Sequence, residues 1–239
     1  MEKVCKIENL SKSYLVSNKK QYIFQDFSME FSCENIVVFL GKSGCGKTTL
    51  LRMICALENA DEGKILFQDE LGNPLEMRFG TVFQEPRLLP WRTTLENVLI
   101  HQKNPERDFG MKLLEKVKLN GFENSYPDEI SGGMAARVAI ARALAYRPNM
   151  LLMDEPFAAL DYFTRQEMEM DLIDFQQKEH IGVFFITHDL DETLLLAKEI
   201  IVLEKGKSGK KFIIDKPYPR NLADEDLIEL KNTLMELLA

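Results

Sequence analysis

A short stretch rich in glycine, with lysine and threonine at its end, is the part of this sequence most suited to chemistry. It reads Gly41-Lys42-Ser43-Gly44-Cys45-Gly46-Lys47-Thr48-Thr49. An apolar run over 36–40 precedes it, and an apolar segment from Leu50 follows it. Glycines let the backbone curl so that successive N–H groups point at an anion, and the positive end of the following helix lies at the same place. The pattern G-x-x-x-x-G-K-[ST] between a strand and a helix is the phosphate-binding loop, and it predicts a site for a nucleoside triphosphate.

Two side chains of this loop can act on a bound triphosphate. In the pattern, Lys47 reaches the outer phosphates and the Thr48 hydroxyl holds Mg²⁺. A glycine-rich turn without a ligand is the alternative interpretation. The complete match between a strand and a helix argues against it.

A pair of carboxylates follows a second apolar run. Met150-Leu151-Leu152-Met153 leads directly into Asp154 and Glu155. A carboxylate at a strand end suits Mg²⁺, usually through water, because this ion dehydrates reluctantly. Glu155, one step on, can polarise an attacking water as general base. Two solvated acids are the alternative, and the phosphate loop upstream disfavours it.

Polar residues also end two other apolar runs. Gln84 follows the run over 79–83, and His188 follows the run over 182–187. In mainly parallel sheets, ligands bind beyond the carboxyl ends of the strands. We therefore expect Gln84, the two carboxylates and His188 at the same edge as the phosphate loop. A lone histidine is more often structural, but at a strand tip beside a nucleotide His188 is predicted to contact the γ-phosphate.

Composition and charge restrict the class of protein. The chain has 239 residues, 45% of them hydrophobic and 28% charged, with a formal net charge of −8. An acidic balance argues against a nucleic-acid partner, which would usually meet a basic face. No apolar run approaches the roughly 20 residues of a membrane span, and the N-terminal residues lack the apolar core of a signal peptide.

The four cysteines predict a reduced, cytoplasmic setting. Cys5, Cys33, Cys45 and Cys55 show neither C-x-x-C pairing nor metal-ligand spacing. Cys45 lies in the phosphate loop just before a helix N-terminus, a position that lowers the pKa of a thiol. We therefore expect alkylation of Cys45 to inactivate the protein, and MgATP to protect it.

The predicted fold class is α/β, with a P-loop NTPase core, a mainly parallel sheet, an N-terminal antiparallel β portion and a helical insertion. Alternating residues predict half-buried strands over 4–10 and 27–31, separated by a polar loop over 17–21. Apolar strands alternate with helices in the rest of the core, which indicates parallel pairing. The predicted bounds are 1–86 with 148–239 for the nucleotide-binding core, and 87–147 for the insertion.

With these motifs in this order, the chain resembles the ATP-binding subunit of an ATP-binding cassette (ABC) transporter along nearly its whole length. The most discriminating match is Ser131-Gly132-Gly133-Met134, which falls on the signature of that family. The resemblance implies the ABC ATPase fold, with ATP and Mg²⁺ as ligands.

The resemblance also implies roles for individual residues. Tyr14, which alone would be a packing residue, matches the aromatic residue that stacks on adenine. Gln84 would sense Mg²⁺ and the attacking water, Asp154 would hold the metal, and Glu155 would be the catalytic glutamate. Asp161 ends the loop Ala158-Ala159-Leu160-Asp161 that crosses between subunits. His188 matches the switch histidine.

Departures from the family pattern point to one branch. Ile130 and Met134 stand where leucine and glutamine are usual, with Ala135-Ala136 after them. Met134, the stretch 81–92 and the tail motif Tyr218-Pro219-Arg220 resemble the branch that imports nitrate, taurine and other sulfonates, and some vitamin precursors.

The implied partners are a second ATP-binding subunit, in a homodimer, and transmembrane permease subunits. A solute-binding protein would be an indirect partner, and no nucleic acid is expected. The chain would lie on the cytoplasmic face of the membrane, held there by the permease. The segment from Arg87 to Trp91 packs in the insertion under one interpretation. Under the other, its surroundings form the groove that receives a permease helix.

Two alternatives from other classes of protein are consistent with the phosphate loop. A soluble ABC-type ATPase of DNA repair or translation would normally carry a coiled-coil insertion or two cassettes, and neither is present. A small-molecule kinase with a phosphate loop would leave Ser131-Gly132-Gly133 without a purpose.

Overall fold

The computed structural model describes residues 3–204 and 209–238. Its strands are β1 (Lys3–Val16), β2 (Lys19–Ser32), β3 (Ile36–Leu40), β4 (Glu62–Asp69), β5 (Phe79–Phe83), β6 (Met150–Asp154), β7 (Gly182–Thr187), β8 (Glu199–Val202) and β9 (Lys210–Ile213). Its helices are α1 (Lys47–Ile54), α2 (Thr94–Val98), α3 (Arg107–Lys116), α4 (Gly132–Leu144), α5 (Tyr162–Glu179), α6 (Leu190–Leu196) and α7 (Glu225–Leu238). A 3₁₀ turn spans Pro127–Glu129.

The chain divides into two compact units. The first comprises Met1–Glu76 and Gln176–Ala239, and the second comprises Met77–Phe175. The subdomain bounds given above, 1–86 with 148–239 and 87–147, stay a prediction.

An antiparallel sheet with the order β2-β1-β4 forms part of the first unit. β1 and β2 pair as a long hairpin up to Val16 and Lys19. The turn consists of Ser17 and Asn18, with φ of 49° and 62°. Positive φ at both central residues matches the twist of the flanking strands. The polar loop predicted over 17–21 is therefore wrong in length, because two residues suffice for the turn and β2 begins at Lys19.

A second sheet of the first unit surrounds β3. β7 and β8 pair with β3 in parallel on its two sides, and β9 pairs antiparallel with β8. All five residues of β3 are buried, which explains its uninterrupted apolar run. Phe39 of β3 stacks on Phe184 of β7 with ring centroids 4.0 Å apart, and Phe31 of β2 lies 5.2 Å from Phe39. These aromatic contacts join the two sheets and fix the strand that leads into the phosphate loop.

The tail motif of the first unit closes the end of α6. Arg220, which is only 8% exposed, donates hydrogen bonds to the carbonyls of Leu194 (2.9 Å) and Ala197 (2.6 Å). The Tyr218 hydroxyl donates to the Leu196 carbonyl at 2.5 Å. A cation at a helix C-terminus is favourable and satisfies carbonyls that lack a partner within the helix. The motif therefore anchors α6, and the last helix, α7, follows it.

The second unit contains one parallel strand pair and most of the helices. β5 and β6 pair in parallel, and a Cβ built on Gly80 of β5 would lie 2.9 Å from the Ala143 carbonyl at the end of α4. Buried Arg137 of α4 forms ion pairs with Asp171 (2.5 Å) and Glu167 (2.9 Å) of α5. Among the helices of residues 3–204 and 209–238, none combines the length and hydropathy that a membrane span requires.

Candidate functional site

The phosphate loop of the first unit connects the end of β3 to the start of α1. Gly44 and Gly46 have φ of 78° and 113°, a region that favours glycine. A Cβ built on Gly46 would lie 2.6 Å from Ile23 Cγ2 and 2.8 Å from Phe24 Cζ. The loop is therefore curled as its glycines predict, with strand β2 packed closely against it.

Lys47, the first residue of α1, is only 6% exposed. Its Nζ donates hydrogen bonds to the carbonyl oxygens of Gly41 (2.6 Å) and Lys42 (3.2 Å). These contacts hold the ammonium against the first two residues of the loop. A buried ammonium beside a helix N-terminus and left-handed glycines suits a polyanion.

The pKa of the Cys45 thiol differs from the prediction. Its side chain is buried, and a Cβ on Gly41 would lie 2.6 Å from Cys45 Sγ. Burial raises the pKa of the Cys45 thiol, and the Lys47 ammonium lowers that pKa by less. The expectation of a low thiol pKa is wrong, because desolvation outweighs the favourable charge and backbone contacts at the helix N-terminus.

We now expect slow alkylation of folded Cys45 near neutral pH. The thiolate is the reactive form, so a raised pKa reduces its fraction at pH 7 and the rate should increase into the alkaline range. Mass spectrometry of the Cys45 peptide after timed exposure to N-ethylmaleimide measures this rate. The same peptide in urea-unfolded protein is the control and should react faster. Rapid labelling of folded Cys45 at pH 7, blocked by MgATP, would instead restore the original expectation.

Tyr14 is held in place by a carboxylate far along the chain. Its hydroxyl donates to the Glu58 carboxylate, and Lys12 Nζ lies 3.1 Å from the same group. Burial, with Glu58, raises the pKa of Tyr14, whose phenol therefore stays a donor. The Thr49 side chain also contacts this phenol, which places Tyr14 at the end of the phosphate loop. Tyr14 remains 39% exposed, which leaves room for a stacking partner. Sequence reasoning missed Lys12 and Glu58.

His188 lies beside the start of the phosphate loop. Leu40 of β3 and Thr187 of β7 are register partners, so Gly41 and His188 both follow paired residues at the same sheet edge. Asp189 then caps α6 by accepting hydrogen bonds from the N–H of Asp191 (2.8 Å) and Glu192 (3.2 Å). His188 is thus held between a buried strand and a capped helix, with its side chain exposed.

In the second unit, Gln84 and the carboxylate pair share one edge. Phe83 of β5 pairs with Asp154 of β6, so Gln84 and Glu155 both follow paired residues. The backbone of Glu155 is left-handed, with φ of 47°. An amide carbonyl and a carboxylate supply the oxygen donors that Mg²⁺ prefers. The types of donor on this edge therefore fit this metal.

The signature motif begins α4. The Ser131 Oγ accepts a hydrogen bond from the Met134 N–H at 3.3 Å and caps the helix. A Cβ built on Gly133 would lie 2.5 Å from Thr164 Cγ2, whereas one on Gly132 meets only Leu160 Cδ2, at 3.9 Å. The Thr164 N–H in turn donates to Asp161 Oδ1 at 3.1 Å. Hydrogen bonds from Thr164 lower the pKa of Asp161. Thr164 thus brings the signature and Asp161 together.

The predicted site residues fall into two groups. The first unit holds Tyr14, the loop Gly41-Lys42-Ser43-Gly44-Cys45-Gly46-Lys47-Thr48-Thr49 and His188, which the contacts above bring together. The second unit holds Gln84, Ser131-Gly132-Gly133, Asp154, Glu155 and Asp161, in two neighbourhoods. A single site composed of both groups stays a prediction.

Comparison with known proteins identifies the family. Residues 24–158 match the family model described as ABC transporter. The aliphatic sulfonates import ATP-binding protein SsuB of Bacillus cereus is 37% identical over 235 residues, which cover 96% of this chain and 94% of that protein. An uncharacterized ABC transporter ATP-binding protein of Methanocaldococcus jannaschii is 39% identical over 242 residues, covering 98% and 90%.

A solved structure supports the same family. The dimeric, post-hydrolysis ATP-binding cassette MJ0796, bound to ADP and Pi, superposes with a TM-score of 0.74 at 27% identity, covering 89% of this chain and all of that chain. The predicted ABC ATPase fold is confirmed, as is the predicted class of enzyme. A family model that matches more than half of the sequence, and relatives of this identity over nearly the full length, show that the chain belongs to the ABC transporter family, as one of its ATP-hydrolysing, ATP-binding subunits.

Proposed function

We propose that this chain powers an importer for a small solute: a sulfonate, taurine, nitrate or a vitamin precursor. The observation that carries the solute class is the 37% identity, over 96% of the chain, to a protein named for the import of aliphatic sulfonates. Met134 and the tail motif, which suggest the same branch on sequence, support it.

At the nucleotide, each group of residues has a distinct task. The loop from Gly41 to Thr49 binds the phosphates through backbone N–H groups and Lys47, while Tyr14 stacks on the adenine. Mg²⁺, when bound, would neutralise charge on the phosphates. Thr48, Gln84 and Asp154 would supply its protein ligands, directly or through water.

Hydrolysis needs a group that takes a proton from water and a group that contacts the γ-phosphate. Glu155 acts as the general base, and His188 donates to the γ-phosphate. The left-handed backbone of Glu155 supports a functional role, because strained residues concentrate at active sites.

Assembly completes the mechanism. Two copies pack head to tail, and Ser131-Gly132-Gly133 of one closes over the ATP of the other. The dimeric cassette MJ0796 supports this arrangement. Closure drives the permease subunits, and hydrolysis resets them. The permease subunits hold the chain at the cytoplasmic face of the membrane, and a solute-binding protein delivers the solute. Trp91, which is 70% exposed, belongs to the surface proposed to receive the permease.

Uptake measurements test the proposal. We expect deletion of the gene in its host to abolish uptake of one labelled solute among an alkanesulfonate, taurine, nitrate and a vitamin precursor. A wild-type copy should restore uptake, whereas a Glu155→Gln copy should not. Unchanged uptake of all four solutes would refute the proposed solute class. Failure of the chain to reach the membrane with its coexpressed permease would refute the transport role.

A further inference from the structure

Arg142, near the end of α4, binds the backbone of the segment that follows Gln84. Its Nη2 donates to the Pro86 carbonyl at 2.6 Å, and its Nη1 donates to the Arg87 carbonyl at 2.9 Å. The two terminal nitrogens of the guanidinium thus donate to two successive carbonyl oxygens at the same time. Burial lowers the pKa of Arg142, so the side chain is partly removed from water. Hydrogen bonds from a charged donor under these conditions are among the stronger ones in proteins.

The segment that Arg142 holds is strained. Arg87 has φ of 47°, which is unfavourable for a residue with a side chain. The Arg87 guanidinium lies over the Phe83 ring at 4.9 Å, so its side chain folds back on the strand that precedes Gln84. Such a conformation persists only where surrounding contacts impose it.

A second buried side chain fixes the other end of the same segment. Asn97 of α2 is fully buried, and its Oδ1 accepts from the Leu89 N–H at 2.7 Å. Its Nδ2 lies 3.1 Å from the Leu89 carbonyl and 3.0 Å from the Arg92 carbonyl. Asn97 therefore anchors the segment to α2, and Arg142 ties it to α4.

We propose that Arg142 is a positioning residue that fixes the segment 85–89 to the signature helix, so that Gln84 and Ser131-Gly132-Gly133 move as one body. α4 begins at Gly132, and Arg142 lies ten residues on, or about 15 Å along a helix that rises about 1.5 Å per residue. A helix transmits displacement over that distance with little bending. The inference rests on the proposed role of Gln84, and it adds the physical link between the magnesium sensor and the signature.

Trypsin cleavage at the Arg87–Leu88 bond tests the link without any measurement of activity. Cleavage requires local opening of the segment, so its rate reports how firmly the segment is held. We expect Arg142→Gln to increase the rate by about tenfold or more, because two charge-assisted hydrogen bonds are lost. Arg142→Lys should be intermediate, since an ammonium cannot reproduce the planar fork.

Arg137→Gln is the matched control. It removes a buried arginine from the same helix, but that arginine pairs with Asp171 and Glu167 instead of the segment. Arg137→Gln should lower Tm without accelerating cleavage at Arg87–Leu88. If either glutamine variant does not fold, Arg142→Lys and Arg137→Lys give the same comparison. Equal cleavage rates in the Arg142 and Arg137 variants would overturn the proposal. Faster cleavage would then reflect lower overall stability and not the loss of the contact between Arg142 and the segment.

The Mg²⁺ dependence of hydrolysis separates this inference from the function on which it rests. Gln84→Ala should raise the Mg²⁺ concentration for half-maximal rate, and Arg142→Gln should shift it in the same direction while Arg137→Gln does not. A shift with Gln84→Ala alone overturns the role of Arg142. No shift with Gln84→Ala refutes the sensor role of Gln84, and the proposed coupling is refuted with it.

Discussion

Glu155→Gln should reduce the rate of ATP hydrolysis by about 10²–10⁴-fold, the range in which a general base contributes, while MgATP binding stays close to that of the wild type. Glutamine has the shape of glutamate, so the left-handed turn after β6, in which the Ala158 N–H donates to the Glu155 carbonyl at 3.2 Å, is retained. An amide cannot accept the proton that the attacking water must lose. Asp154 is unchanged, so the proposed metal ligand remains.

The measurement compares single-turnover hydrolysis with binding of a fluorescent ATP analogue. Glu229→Gln, at an exposed position of α7 that is not among the predicted site residues, removes the same charge and should leave both quantities unchanged. Hydrolysis by purified Glu155→Gln at a rate near that of the wild type would exclude Glu155 as the base.

Two further substitutions separate binding from catalysis. Lys47→Ala removes the buried ammonium that contacts the Gly41 and Lys42 carbonyls, and it should weaken both binding and hydrolysis. His188→Ala removes an exposed side chain at the strand edge, and it should reduce turnover more than affinity.

Local patterns explain why much of the site could be predicted from sequence. The phosphate loop is contiguous, and its glycines meet the backbone requirement at Gly44 and Gly46. Parallel pairing then predicts shared edges without knowledge of side chains, as Leu40 with Thr187 and Phe83 with Asp154 show.

What the sequence could not predict depends on packing between distant segments. Cys45 sits at a helix N-terminus, as predicted, but its pKa is set by burial against Gly41, which no local pattern reveals. Glu58 lies 44 residues from Tyr14, and Arg142 lies 55 residues from Arg87. Asn97 stands between two buried apolar positions, Leu95 and Val98, and an amide at such a place is the type of signal that could have pointed to such anchors.

A mixture of two variants that each fail to retain nucleotide should regain tight retention if the signature acts in trans. One variant is Lys47→Ala, with a defective phosphate loop and an intact signature. The other has an intact phosphate loop and a defective signature. Placing Glu155→Gln in both chains prevents hydrolysis from releasing the nucleotide, so retention reports closure alone.

The structure decides which signature variant is suitable. Gly133 is buried, and a Cβ there would lie 2.5 Å from Thr164 Cγ2, so Gly133→Asp would also disturb the Thr164 contact to Asp161. Gly132 is exposed, and its nearest neighbour, Leu160 Cδ2, is 3.9 Å away. A carboxylate in the first turn of α4 is compatible with the helix dipole but opposes a phosphate. Gly132→Asp is therefore the more suitable variant, because it leaves the Thr164 contact to Asp161 intact.

In a mixed dimer, the phosphate loop of the Gly132→Asp chain meets the signature of the Lys47→Ala chain, and one complete site forms. If each signature served its own loop, no combination of the two chains would contain a complete site. Labelled ATP that remains bound after rapid gel filtration measures the difference, with each variant alone as control. Retention in the mixture no greater than in either control would contradict head-to-tail closure, because the only complete site the mixture can form depends on it.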